Sequence, residues 1–274
     1  MQKFIKGNVV LFLVLSAILF FSGCSTEQKT ALNGSSTTQS SAKPIELTIS
    51  AAASLTDALK EIQKIYESNH KAIKLHYNFG ASGALQQQIE QGAPADLFLS
   101  AAPKNMKALV DKQLIEPTKQ KTLLTNELVV VIPADGKIAI GSPADLIKTE
   151  VKLVAIGIPE SVPAGSYAKE ALTNANLWES LQAKTVQGKD VRQVLQYVET
   201  GNADAGFVYK TDALTSQKVK IAFALDSKTY TPVEYPIGIV KSSKHSNEAE
   251  DFYEYLQSKE ALDIFVKHGF SRPK

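Results

Sequence analysis

From Pro44 onward the apolar positions switch between two periods. Leu47-Thr48-Ile49-Ser50 alternates as a strand does. Leu55, Ala58, Leu59, Ile62, Ile65 and Tyr66 then recur at the spacing of one helix face. Ile73 to Tyr77 alternates again, Leu85 to Gln91 is helical, and Asp96-Leu97-Phe98-Leu99 is a short buried strand. After Val129 the pattern resumes with a strand over Leu153 to Ile156, a helix from about Ser166, another over Val191 to Thr200, and a strand over Ala205 to Tyr209. A helix pair follows, Ala249 to Leu256 and Ala261 to His268. Such alternation predicts an α/β fold of βαβ units with parallel pairing.

Two runs, Glu127 to Pro133 and Glu234 to Val240, read as connectors between two such sheets. The organisation expected is therefore two lobes joined by two passes of chain: residues 44–125 with 236–274, and residues 126–235. No internal sequence repeat is evident. The cleft between two α/β lobes is the default place for a ligand, and strand ends that feed helix N-termini should line it.

Residues 1–24 differ in character from the rest. Lys3 and Lys6 precede an apolar run from Val9 to Phe21, and Ser22-Gly23-Cys24 follows. This is the layout of a secretory signal, and the run is short of the ~20 residues that span a membrane. Small residues before a cysteine resemble a bacterial lipobox, with Phe21 where leucine is usual. Cleavage would leave Cys24 as the lipidated N-terminus of an extracytoplasmic, membrane-anchored lipoprotein. Cys24 is the single cysteine of the 274 residues, which rules out an intramolecular disulfide. Residues 25–43, rich in Ser, Thr, Gln and Asn, read as a flexible tether.

Composition narrows the partners. Lys and Arg number 30 against 28 Asp and Glu, leaving a formal charge of +2 with no basic stripe for nucleic acid. The four histidines, His70, His76, His245 and His268, do not pair at metal-ligand spacing. Gly80-Ala81-Ser82-Gly83-Ala84 has its second glycine one position too early for a nucleophile elbow, and no Walker-type loop is present. No enzyme chemistry and no cofactor are expected.

Candidate chemistry lies at four helix starts: Ser54 with Asp57 three residues on, Ser82 within Asn78 to Ala84, Val162-Pro163-Ala164-Gly165, and Asp190-Val191-Arg192-Gln193. Each singly is a cap or a tight turn. Together at strand ends they supply unpaired backbone N–H groups and positive dipole ends, which hold anions without cationic side chains. In the fourth, the Asp190 side chain would cap the deeper N–H groups and leave that of Val191 free. Tyr209, at its strand end, could add a hydroxyl. A site made of donors alone favours a fully ionised oxyanion over one that carries a proton and needs an acceptor. Donors alone do not separate molybdate from sulfate.

"AAASLTDAL", "ASGALQQQIEQGAPADLFLSA", "VPAGSYAKEAL", "DVRQVLQYVETGNADAGFVYKTDA" and "VEYPIGIV", in this order from about Glu46 to Phe270, resemble the molybdate-binding proteins of bacterial molybdate ABC transporters. The resemblance implies a type II periplasmic-binding-protein fold, with mixed sheets flanked by helices and a two-strand hinge, that captures molybdate or tungstate. It places ligand contacts at Ser54, Ser82, Ala164, Val191 and Tyr209. The metal would be held as its oxyanion, with no direct cation ligand. The implied partner is an ABC permease with its ATPase, and the protein would act as a monomer. Relatives often carry further Ser or Thr beside the second serine, where this chain has Gly80, Ala81 and Gly83.

Overall fold

The described strands build two five-stranded sheets, and the chain passes from one to the other and back. In this computed structural model, residues 43–273 are described; the signal, Cys24 and nearly all of the tether fall outside them. The first sheet begins with β1 (Ile45–Ala52), α1 (Thr56–Asn69), β2 (Ile73–Gly80), α2 (Ser82–Glu90), β3 (Leu97–Leu99), α3 (Pro103–Asp111) and β4 (Ile115–Asn126). The second takes β5 (Leu128–Pro133), β6 (Val154–Gly157), α4 (Pro163–Asn174), α5 (Trp178–Leu181), β7 (Thr185–Gly188), α6 (Val191–Glu199), β8 (Ala205–Tyr209), α7 (Lys210–Ala213) and β9 (Val219–Ala224). Then β10 (Val233–Val240), α8 (Ser246–Leu256) and α9 (Lys259–Lys267) return the chain to the first.

The strand orders are β2-β1-β3-β10-β4 and β7-β6-β8-β5-β9. In each sheet one strand is parallel to two neighbours, β1 to β2 and β3, and β6 to β7 and β8. In each an incoming strand runs antiparallel to both of its neighbours, β10 to β3 and β4, and β5 to β8 and β9. The sheets are thus mixed, not purely parallel, and share one topology without a repeated sequence.

The two expected connectors are themselves sheet strands. Leu128 to Ile132 is buried throughout, and an unbroken apolar run is what a strand covered on both faces requires. The whole of β10 pairs in the first sheet, with Pro236 seated at a register shift beside β4, where a strand tolerates a missing N–H. The chain therefore crosses at Glu127 and again between Ala224 and Val233, earlier than the expected return after Tyr235. Helices on the sheet faces complete a core centred on β1, β3, β5, β6 and β8.

Candidate functional site: a closed donor cavity

Each of the four anticipated helix starts follows the C-terminal end of a strand, and in three of them no side chain caps the helix. Ala53-Ser54-Leu55 forms one 3₁₀ turn between β1 and α1; Ala81 precedes α2, and Val162 precedes α4. The first N–H groups of such helices have no intrahelical acceptor. The capping box expected of Ser54 and Asp57 does not form. Ser54 Oγ lies 2.8 Å from the Tyr235 hydroxyl, and Asp57 pairs with Arg192 instead. Ser82 is likewise not a cap: its Oγ accepts from the Ala101 N–H at 2.9 Å. Only Asp190 behaves as expected, accepting from the Gln193 N–H at 2.9 Å and leaving Val191 at the helix tip.

These ends converge on a small cavity between the sheets, with about 10 Å³ open to the centre of a water-sized group. One water needs about 10–15 Å³ on that measure, so the space suits a small ion rather than a sugar or a peptide. Ser54, Ser82, Ala164, Val191 and Tyr209 all line it, with Ala53 and Gly80 among the small residues that bring backbone close. The approach of α4 depends on glycine: a Cβ on Gly165 would sit 2.0 Å from the Gly157 carbonyl oxygen at the end of β6.

No charged side chain is among the residues lining the cavity. The Tyr209 hydroxyl is buried and has no hydrogen-bond partner among the described residues, an expensive arrangement unless something fills the space. Burial pushes that phenol well above its ordinary range, so it keeps its proton. Ser82 Oγ, having accepted the Ala101 N–H, has its own hydrogen free to donate. Neutral donors and helix dipoles here have the chemistry to hold an anion.

The charges sit one layer behind the cavity, and sequence reasoning missed them. Arg192, the residue after Val191, reaches Asp57 on the opposite sheet's helix at 2.7 Å through Nη2. Its Nε lies 2.7 Å from Asp212 Oδ1, a close ion pair. Asp212 is fully buried and its other oxygen accepts from the Tyr209 N–H. Burial pushes its carboxyl up to about 6 although Arg192 opposes the shift. The Asp57 and Arg192 positions were visible as helix-start residues, but nothing in the sequence pointed to their pairing.

Three further contacts close the gap between the sheets. The Gly83 N–H donates to the Ser161 carbonyl at 2.9 Å, Lys104 Nζ to Ser166 Oγ at 2.9 Å, and the Tyr167 hydroxyl to the Ala101 carbonyl at 3.4 Å. The molecule is therefore held shut over its cavity.

Residues 47–271 match the family model of the bacterial extracellular solute-binding protein. The chain is 52% identical, over 97% of its length and 98% of the relative's, to Bacillus subtilis YvgL, provisionally named an ABC transporter substrate-binding lipoprotein. It is 41% identical to the molybdate-binding protein ModA of Haemophilus influenzae, over 82% of this chain and 90% of that one. A solved substrate-binding domain of a provisionally named molybdenum ABC transporter from Clostridium difficile is 45% identical, covering 84% of this chain and 100% of that one, with a TM-score of 0.65. The family match takes in both sheets and every residue lining the cavity, and the chain belongs to the bacterial extracellular solute-binding proteins.

Proposed function

We propose that the protein captures molybdate or tungstate outside the cytoplasm and delivers it to the permease of an ABC importer, whose ATPase drives uptake. The observation that carries this reading is the closed, uncharged cavity in which a buried Tyr209 hydroxyl has no partner. The names of the molybdate-binding relatives support the choice of ion. Ser54, Ser82 and Tyr209 would donate through hydroxyls, and Ala164 and Val191 through main-chain N–H groups. The two lobes would open and close by flexing at the two crossings, Glu127 and the segment between Ala224 and Val233. The protein would work as a monomer, held to the membrane through a lipid on Cys24, in keeping with the lipoprotein name of its Bacillus subtilis relative.

Calorimetric titration with molybdate, tungstate and sulfate tests the reading. Molybdate and tungstate are expected to bind one to one, and sulfate to be silent. Tight sulfate binding would keep the donor mechanism and overturn the ion; silence from all three would overturn the function. Ser54→Ala should weaken molybdate by about 1–3 kcal/mol, the cost of leaving a buried anion one donor short. Unchanged affinity in that variant would remove Ser54 from the ligand shell.

A further inference from the structure

Ser54 differs from Ser82 in what controls its hydroxyl. The backbone holds Ser82, whereas Ser54 is held by the Tyr235 hydroxyl of β10, which is in turn contacted by Asn126, the last residue of β4. The direction of this chain of bonds can be worked out. Asn126 Oδ1 accepts the Glu127 N–H at 2.9 Å, so its amide nitrogen faces Thr211 Oγ1 at 2.9 Å and the Tyr235 oxygen at 3.3 Å. The Tyr235 oxygen thus accepts from Asn126. Among the described residues, the one acceptor within reach of its own proton is Ser54 Oγ at 2.8 Å. Were Ser54 to donate to Tyr235, the proton of a fully buried phenol would be left unpaired, which a buried polar group avoids where it can. Tyr235 therefore donates, Ser54 accepts, and the Ser54 proton is released toward the cavity.

We infer that Tyr235, oriented by Asn126, is a positioning residue that fixes Ser54 as an obligate hydrogen-bond donor and so helps the cavity select fully ionised tetrahedral oxyanions over protonated ones. The inference rests on the proposed oxyanion function and extends it to specificity. With Tyr235 in place, the Ser54 oxygen is already occupied and gives poor reception to an anion's own O–H. Without the phenol, Ser54 can rotate and accept.

The test is a double-mutant cycle with Tyr235→Phe and Ser54→Ala, titrating molybdate and hydrogen phosphate into each protein. Tyr235→Phe keeps the ring that packs against Tyr209 and Phe270, and the melting temperature of the unliganded protein checks its fold. Molybdate affinity is expected to fall about tenfold in Tyr235→Phe, the worth of one well-directed hydrogen bond. The ratio of molybdate to hydrogen phosphate affinity is expected to narrow by a similar factor. In the Ser54→Ala background the same substitution should change neither quantity. An equal loss of molybdate affinity in both backgrounds would mean that Tyr235 acts through packing alone and would overturn the inference, as would an unchanged ratio. If the unmodified protein binds no molybdate, the functional reading itself fails and the inference falls with it.

Discussion

Arg192→Ala is expected to lower the melting temperature by roughly 10 °C at pH 7, the largest stability effect of any single substitution considered for this fold. The cause is Asp212, fully buried beside the Arg192 guanidinium. Removing the cation leaves a carboxylate without compensation in the interior, which costs about 3–5 kcal/mol, and for a chain of this size each kcal/mol is worth about 2–4 °C. The dependence on pH separates this cause from lost packing. Asp212 already has its folded pKa raised to about 6, above an unfolded value near ~3.9. Between those values the folded state holds more protons than the unfolded one, so this group's contribution to stability falls as pH rises through the window and is flat above it. Deleting Arg192 removes the influence that holds the pKa down, so the variant's loss continues to higher pH. Thermal melts should show the two proteins close together below about pH 4, where Asp212 is neutral in both folded proteins, and diverging above about pH 6. A pH-independent difference would locate the loss in packing rather than charge.

Gly83→Ala should weaken molybdate binding by about 10- to 100-fold, since forcing one atom into a packed contact costs about 1–3 kcal/mol. A Cβ on Gly83 would lie 2.6 Å from the Ser161 carbonyl oxygen and 2.9 Å from its Cα, both backbone atoms on the facing lobe that cannot rotate away. The Gly83 N–H to Ser161 hydrogen bond would also have to break. The clash exists only when the sheets are drawn together, so the melting temperature without ligand should be unchanged while affinity falls. A variant that binds normally would mean that the lobes do not need to meet along this edge. Equal losses of stability and affinity would place the fault in α2 rather than in closure.

Much of this arrangement was legible from residue order alone. The strands β1, β2, β6 and β8 and the helices α1, α6, α8 and α9 follow from apolar periods, because each buries one face or both. All five residues picked from helix starts and strand ends reach a single cavity, since parallel strands deliver their C-terminal ends to one side of a sheet. The edge strands β4, β7 and β9 were not legible, unlike the edge strand β2, whose inward and outward positions alternate. Exposed residues such as Glu116, Lys121 and Lys220 occupy β4 and β9 without a regular period. The continuous run of β5 was readable as apolar but not as a strand inside a sheet, because periodicity vanishes when both faces are covered.

Side-chain roles were harder to read than positions. Ser54 and Asp57 have the spacing of a capping box, yet one is turned toward Tyr235 and the other toward Arg192, partners 181 and 135 residues away. Local spacing says what a side chain could do within its own helix. A distant segment decides otherwise when it brings a cation from the facing lobe or a phenol from the same sheet to hydrogen-bond distance. The paired Arg192 and Asp212 were invisible for the same reason, although they stand directly behind the cavity.

The selectivity argued for this site comes from what the cavity lacks as much as from what it holds. No lysine, arginine or histidine is among its lining residues, so an anion bound there is stabilised by directed N–H and O–H donors and helix ends. Such donors are preorganised and distinguish ions by size and protonation rather than by charge alone. Sulfate and molybdate share charge and shape, which leaves the size of the closed cavity to divide them.

The most direct test is a crystal structure of the protein grown with molybdate, with diffraction recorded at the molybdenum absorption edge. The account predicts one strong anomalous peak in the cavity between the sheets, within hydrogen-bond reach of the Ser54, Ser82 and Tyr209 hydroxyls and of the Ala164 and Val191 main-chain nitrogens. A peak elsewhere, or one held by lysine or arginine side chains, would contradict it.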